Sequence, residues 1–117
     1  MRVGTDIEEV DRFKKISLEH FCNKYFTSYE KEYALKKGYQ TIAGIYSCKE
    51  SVLKAFGIGI GGGVNLNQIS ILHDLNGRPY IEENDCIKKL MNEYGIKGID
   101  VSISHTKNVV QTICILF

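Results

Sequence analysis

The stretch from Thr41 to Phe56 constrains this chain more than any other. It reads as a helix ended by Gly57 and the glycine run that follows. Within it Ala43, Ser47, Glu50 and Lys54 are spaced four, three and four apart, so they share one helical face. Small residues beside a carboxylate and an amine are poor material for a hydrophobic core. Two readings stand open. The face is either an exposed Glu50–Lys54 pair, worth a few tenths of a kcal/mol, or the wall of a cleft. In the second case the small residues admit a ligand, and Glu50 and Lys54 meet metal and phosphate.

The flanking segments suit one small α+β domain, 1–117, with helices grouped early and a mostly antiparallel sheet late. Residues 2–7 read as a strand, and a helix is predicted from about Glu8 with Val10, Phe13 and Phe21 as apolar positions. Thr27-Ser-Tyr-Glu30 matches a capping box that opens a helix stopping at Gly38. Leu66–Leu72 and Arg78–Ile81 read as a hairpin turning at Asn76-Gly77, with Pro79 suited to an edge. Asn84 is placed to cap a helix from Asp85 to Tyr94. Strands are predicted over Ile99–Ser104 and Val109–Leu116, the last apolar on nearly both parities and so expected to be buried on both faces.

Asp6 adds to the central helix. A carboxylate where the chain leaves a strand is either a helix N-cap or a metal ligand, with Glu8 and Glu9 as neighbouring alternatives. Two carboxylates from different elements suit Mg2+, which fills its octahedron with water and phosphate oxygens. Gly57, Gly59 and Gly62 satisfy G-x-G-x-x-G, but a helix precedes them and a strand follows, the reverse of a dinucleotide fingerprint. The run reads as a flexible connector. In Val101-Ser-Ile-Ser-His105 the two serines oppose the aliphatic face and His105 ends the strand within reach of a ligand. No Gly-x-Ser-x-Gly elbow surrounds either serine, which argues against a serine hydrolase.

Composition excludes several classes. With 44% hydrophobic and 25% charged residues and a net charge of +1, nothing global draws the chain to nucleic acid or membrane. Between Arg12 and Lys37, however, seven basic residues face three acidic ones. That excess suits an acidic partner, or else a solvated helical face. The four cysteines form no Cys-x-x-Cys pair, and three lie in apolar segments, so they read as reduced core thiols. Without a signal-type apolar segment near Met1, a cytoplasmic location is expected.

Taken together, these segments resemble the holo-[acyl-carrier-protein] synthases, the small class of phosphopantetheinyl transferases. The resemblance rests on Val3-Gly-Thr-Asp-Ile7, on Ala43-Gly44 followed by Lys49-Glu-Ser-Val-Leu-Lys54, on Gly77-Arg-Pro79 and on Val101-Ser-Ile-Ser-His105. It implies Mg2+-dependent transfer of 4'-phosphopantetheine from coenzyme A to a serine of apo acyl carrier protein, in support of fatty acid biosynthesis. It implies Asp6, Glu50 and Lys54 as catalytic residues, Asp6 and Glu50 holding the metal. Coenzyme A would meet Lys54, Arg78, Ser102, Ser104 and His105, and the carrier would dock on Arg12 and Lys15. A homotrimer with sites between subunits is implied as well. Glu30, beyond its capping role, is the candidate base. Ile45 stands where the family usually has arginine, so one phosphate contact is implied to be missing or taken over. The rival class is a non-catalytic coenzyme A or nucleotide-binding module.

Overall fold

The computed structural model describes residues 1–59 and 62–117. Its architecture is α+β: a three-stranded antiparallel sheet packed on one long helix, with shorter helices and a two-stranded ribbon around it. Strand β1 (Arg2–Glu9) and strand β4 (Ile99–His105) flank the central strand β5 (Val109–Leu116), in the order β1-β5-β4. Register runs from Arg2↔Leu116 to Glu9↔Val109 on one side and from Ile99↔Leu116 to His105↔Val110 on the other.

β1 therefore outlasts the predicted 2–7, and no helix starts at Glu8. The ladder to β5 holds Glu8 and Glu9 extended, and the Val10 amide closes it by donating to the Asn108 carbonyl at 2.8 Å. A short 3-10 turn (Val10–Lys15) follows and buries Val10 and Phe13, and helix α1 (Leu18–Tyr25) starts at the Ser17 cap. Helix α2 (Ser28–Lys37) opens with the capping box expected at Thr27 and Glu30.

Helix α3 (Tyr39–Phe56) is the spine, closed by Gly57 in the left-handed region. Its small residues do not line a ligand cleft along their length; they admit the sheet. Ala43, Ser47 and Ser51 are fully buried, and Ser47 Oγ lies 2.9 Å from Thr112 Oγ1 on β5. Gly4 of β1 lies so close that a Cβ there would sit 2.0 Å from the Ser51 carbonyl oxygen. The predicted connector falls partly on residues 60 and 61, outside the described residues.

In the ribbon, strands β2 (Ile71–His73) and β3 (Pro79–Ile81) are shorter than expected. Leu66–Gln68 instead form a 3-10 turn, because Asn65 and Gln68 cap one another. The turn is also longer than a two-residue Asn-Gly loop. Asp74 accepts from the amides of Asn76 and Arg78, and Gly77 takes φ +82°. Helix α4 (Asp85–Tyr94) is capped by Asn84 and ends at Gly95 as predicted. β5 is central, yet only one face of it is covered. Val110, Thr112, Cys114 and Leu116 are buried against α3, whereas Val109, Ile113 and Ile115 stay partly exposed. No helix among the described residues is long and apolar enough to cross a membrane.

Candidate functional site

Strand alternation turns Gly4, Asp6 and Glu8 toward α3. The Gly4 contact brings β1 down on α3, and this seats Asp6 beside the helical turn that carries Lys54. Asp6 Oδ1 accepts from Lys54 Nζ at 3.0 Å. The Asp6 side chain is 8% exposed and the Lys54 side chain 53% exposed. Asp6 Oδ2 is buried with no hydrogen-bond partner. Glu50, one turn before Lys54, is half-buried. Both carboxylates thus lie on the α3 side of β1, with an exposed amine at the rim.

Glu8 shares this corner. Burial, then the adjacent Asp6 carboxylate, push its carboxyl up to about 7, while Arg12 acts in the opposite direction. Arg12 Nη1 donates to Glu8 Oε1, and the guanidinium lies 5.2 Å from the Tyr46 ring centroid. Burial raises the Tyr46 phenol above its ordinary range; Arg12 opposes this, and the charges of Glu50 and Glu8 reinforce it. Tyr46 was silent in the sequence. It became visible only when Arg12 on the 3-10 turn met the helix.

The nitrogen and oxygen donors expected for a nucleotide lie elsewhere in the chain. His105 ends β4 at the opposite edge of the sheet from β1, its Nδ1 3.3 Å from the Thr106 carbonyl oxygen. Two strand spacings, about 10 Å, separate those edges. His105 lines a cleft of roughly 220 Å³ with Gly44, Ile45, Tyr33, His73 and Pro79. Tyr33 and His73 stack there, ring centroids 3.9 Å apart, and neither was singled out in the sequence. Burial, reinforced by Lys37, holds the His73 imidazole below its usual range. Ile45 is 1% exposed in the wall of this cleft. Ser102 and Ser104 point to the open face of the sheet. Arg78 is paired with Asp100, Nη2 to Oδ1 at 2.8 Å, both exposed. Lys15 is exposed at the end of the 3-10 turn.

Glu30 is not available as a base. Its side chain is fully buried and pairs with Lys49 Nζ at 2.5 Å. It also accepts from the Thr27 amide at 2.8 Å and the Ile71 amide at 2.7 Å. Both oxygens are spent on the fold, and no hydroxyl from outside reaches them.

A family model for the 4'-phosphopantetheinyl transferase superfamily matches residues 2–114. A holo-[acyl-carrier-protein] synthase of Caldanaerobacter subterraneus subsp. tengcongensis is 41% identical over 117 residues, covering 97% of this chain and 91% of the relative. The crystal structure of the holo-[acyl-carrier-protein] synthase from Neisseria meningitidis superposes with a TM-score of 0.86 at 28% identity, over 99% of this chain and 97% of that one. That of a Bacillus anthracis holo-(acyl-carrier-protein) synthase in complex with CoA (3',5'-ADP) gives 0.80 at 28% identity, over 98% and 94%.

Proposed function

The chain belongs to the 4'-phosphopantetheinyl transferase superfamily, among the holo-[acyl-carrier-protein] synthases, and is a transferase of that class. From that premise we propose that it moves 4'-phosphopantetheine from coenzyme A to a serine of apo acyl carrier protein, releasing adenosine 3',5'-bisphosphate. Mg2+ would be held by Asp6 and Glu50. One observation carries this reading: Asp6, almost fully buried, has one oxygen on Lys54 and the other on nothing. Hard oxygen donors from two elements fit a divalent cation, and an enclosed carboxylate oxygen without a partner is costly unless a proton or a cation meets it.

When bound, the cation supplies positive charge opposite the phosphate oxygens. Lys54 offsets Asp6, and its half-exposed ammonium is free to turn to a phosphate oxygen as charge develops on the leaving group. Glu50 and Asp6, on two rigid elements, would hold the cation that positions the diphosphate, and positioning is where most of the rate of such a transfer originates. The cleft of His105, Tyr33, His73 and Pro79 is suited to the nucleotide end of coenzyme A, and the Bacillus anthracis relative was solved in complex with CoA (3',5'-ADP). Arg78 would add a contact to it by leaving Asp100 for the 3'-phosphate, whereas Ser102 and Ser104, on the open face of the sheet, would meet coenzyme A only across a subunit interface.

Because Asp6 and His105 lie on opposite sheet edges, one chain's His105 would serve its neighbour's Asp6, as a cyclic homotrimer allows. The open face with Val3, Ile7, Ile113 and Ile115 supports such an assembly. Arg12 and Lys15 would dock the acidic carrier, in a cytoplasmic setting that serves fatty acid synthesis. A non-catalytic binding module is favoured by one observation only, the aliphatic Ile45 in the cleft wall.

Intact mass of apo acyl carrier protein after incubation with this chain, coenzyme A and Mg2+ tests the proposal. A gain of one phosphopantetheine is expected, lost with EDTA and lost in Glu50→Gln, which keeps its far-UV CD spectrum. Coenzyme A binding without any gain supports the module instead. Full activity in Glu50→Gln sinks the metal assignment.

A further inference from the structure

The cleft that holds His105 carries no permanently charged side chain: among its described lining residues none is Lys, Arg, Asp or Glu. Its walls are rings and apolar groups. Tyr33 and His73 stack face to face at an interplanar angle of 7°, and Ile45, Ile103 and Pro79 join them. The His73 imidazole, held below its usual range by burial and by Lys37, carries no charge at neutral pH and above. The nearest fixed cations are directed elsewhere. Arg78 borders the neighbouring hollow on the open sheet face, where it donates to Asp100, and Asp100 also accepts from the Val101 amide at 2.9 Å. Lys37 lies 5.4 Å from the Tyr33 ring centroid and lines a separate hollow with Tyr29 and Lys36. Lys107 is exposed, and its carbonyl oxygen accepts from Gln40 Nε2 at 3.1 Å.

Coenzyme A carries a 3'-phosphate monoester, with a charge of about −1.5 to −2 at neutral pH. A site built around such a group rejects an analogue that lacks it, because the site's buried donors are then left unpaired. This cleft buries no cation for that purpose, and its rings and aliphatic walls suit an adenine and its ribose. We propose that the chain does not require the 3'-phosphate and takes dephospho-coenzyme A, which ends in a 3'-hydroxyl, nearly as well as coenzyme A. This rests on the reading that the cleft seats the nucleotide end of the donor. The reaction itself is unaltered, since the 3' position takes no part in it. The acceptor serine oxygen bonds to the phosphorus that bears the pantetheine arm. The bond from that phosphorus to the bridging oxygen breaks, its electron pair stays on the oxygen, and adenosine 5'-monophosphate leaves while the serine proton passes to water. Arg78 discriminates little between the two donors, because its contact is made in solvent and is offset by the loss of Asp100.

The test compares kcat/KM of the wild-type chain for coenzyme A and for dephospho-coenzyme A, with Mg2+ and apo acyl carrier protein. Intact mass follows the carrier, and chromatography identifies the nucleotide released. The two values are expected to agree within about threefold, with adenosine 5'-monophosphate released from the second donor. A preference of about tenfold or more for coenzyme A overturns the proposal, and its disappearance in Arg78→Ala or Lys37→Ala would then name the cation responsible. Ile45→Arg, which sets a fixed cation in the cleft wall, is expected to create a preference for coenzyme A of about tenfold or more, expressed in KM. If a folded Ile45→Arg leaves KM for both donors at wild-type values, the nucleotide lies outside the cleft and the proposal is refuted. Should Ile45→Arg not fold, the wild-type ratio decides alone. If neither donor is turned over, the transferase reading beneath the proposal fails instead.

Discussion

At the scale of single residues, Gly4 shows how little room the site's geometry leaves. A Cβ there would meet the Ser51 carbonyl oxygen at 2.0 Å and the Ala55 amide nitrogen at 2.4 Å. Both are helix backbone, which cannot rotate aside. Gly4→Ala should therefore cost about 3 kcal/mol or more, read as a lower urea midpoint, because overpacking moves the strand itself. Since Asp6 follows two residues later, transfer activity should fall as well; wild-type stability would refute the close approach. The thiols give a second residue-scale expectation. Burial pushes the Cys114 thiol up to about 12 and the Cys48 thiol higher still, with Cys22 also raised. Cys86 is half-exposed. Burial raises the Cys86 thiol as well, but a reagent can reach it, so at pH 8 a thiol-disulfide reagent should label Cys86 first and the other three only after unfolding. Rapid labelling of two or more would contradict this.

Among the elements, α3 does two jobs on two faces. Ser47, Ser51 and Ala55 receive the sheet, whereas Lys49 points the other way into a fully buried clamp. The Lys49 ammonium reaches Glu30, the Tyr25 carbonyl at 2.8 Å and the Leu66 carbonyl at 2.9 Å, so its three donors join α2, the end of α1 and the 66–68 turn. Lys49→Met strands the Glu30 charge and two carbonyls. A loss of about 3–5 kcal/mol is expected from chemical denaturation. A loss under about 1 kcal/mol would mean that the clamp is slack, as exposed pairs are. The Thr27–Glu30 capping box was legible from sequence because it is local, and it is present as expected. That the same Glu30 is sealed beneath Lys49 was not legible, since nineteen positions separate the two and only the helix packing joins them.

For the whole molecule, the open face of the three-stranded sheet is the decisive surface. Val3 is 54% and Ile7 67% exposed, and Ile113 and Ile115 lie across from Thr5 and Val3. Apolar side chains grouped on one sheet face mark an association surface. Light scattering should give three times the 13.3 kDa chain mass. Ile7→Lys should shift that mass toward the monomer and abolish transfer, because Asp6 and His105 would no longer come from adjacent copies. A fully active monomer would remove the shared-site proposal.

By itself the sequence determined the local features: the capping box, the Asn84 and Gly95 ends of α4, the 43–47–50–54 spacing on α3, and the opposed faces of β4. These depend on contacts within a turn or on a two-residue alternation, so neighbouring residues suffice to set them. Tertiary structure alone decided what crosses elements. It extended β1 through Glu9 by pairing it with β5, turned the small residues of α3 to the sheet instead of a ligand, and brought Arg12 onto Tyr46. It also placed Asp6 and His105 at opposite edges. The physical reason is that such contacts join residues tens of positions apart, and packing overrides local preference wherever an apolar face must be covered.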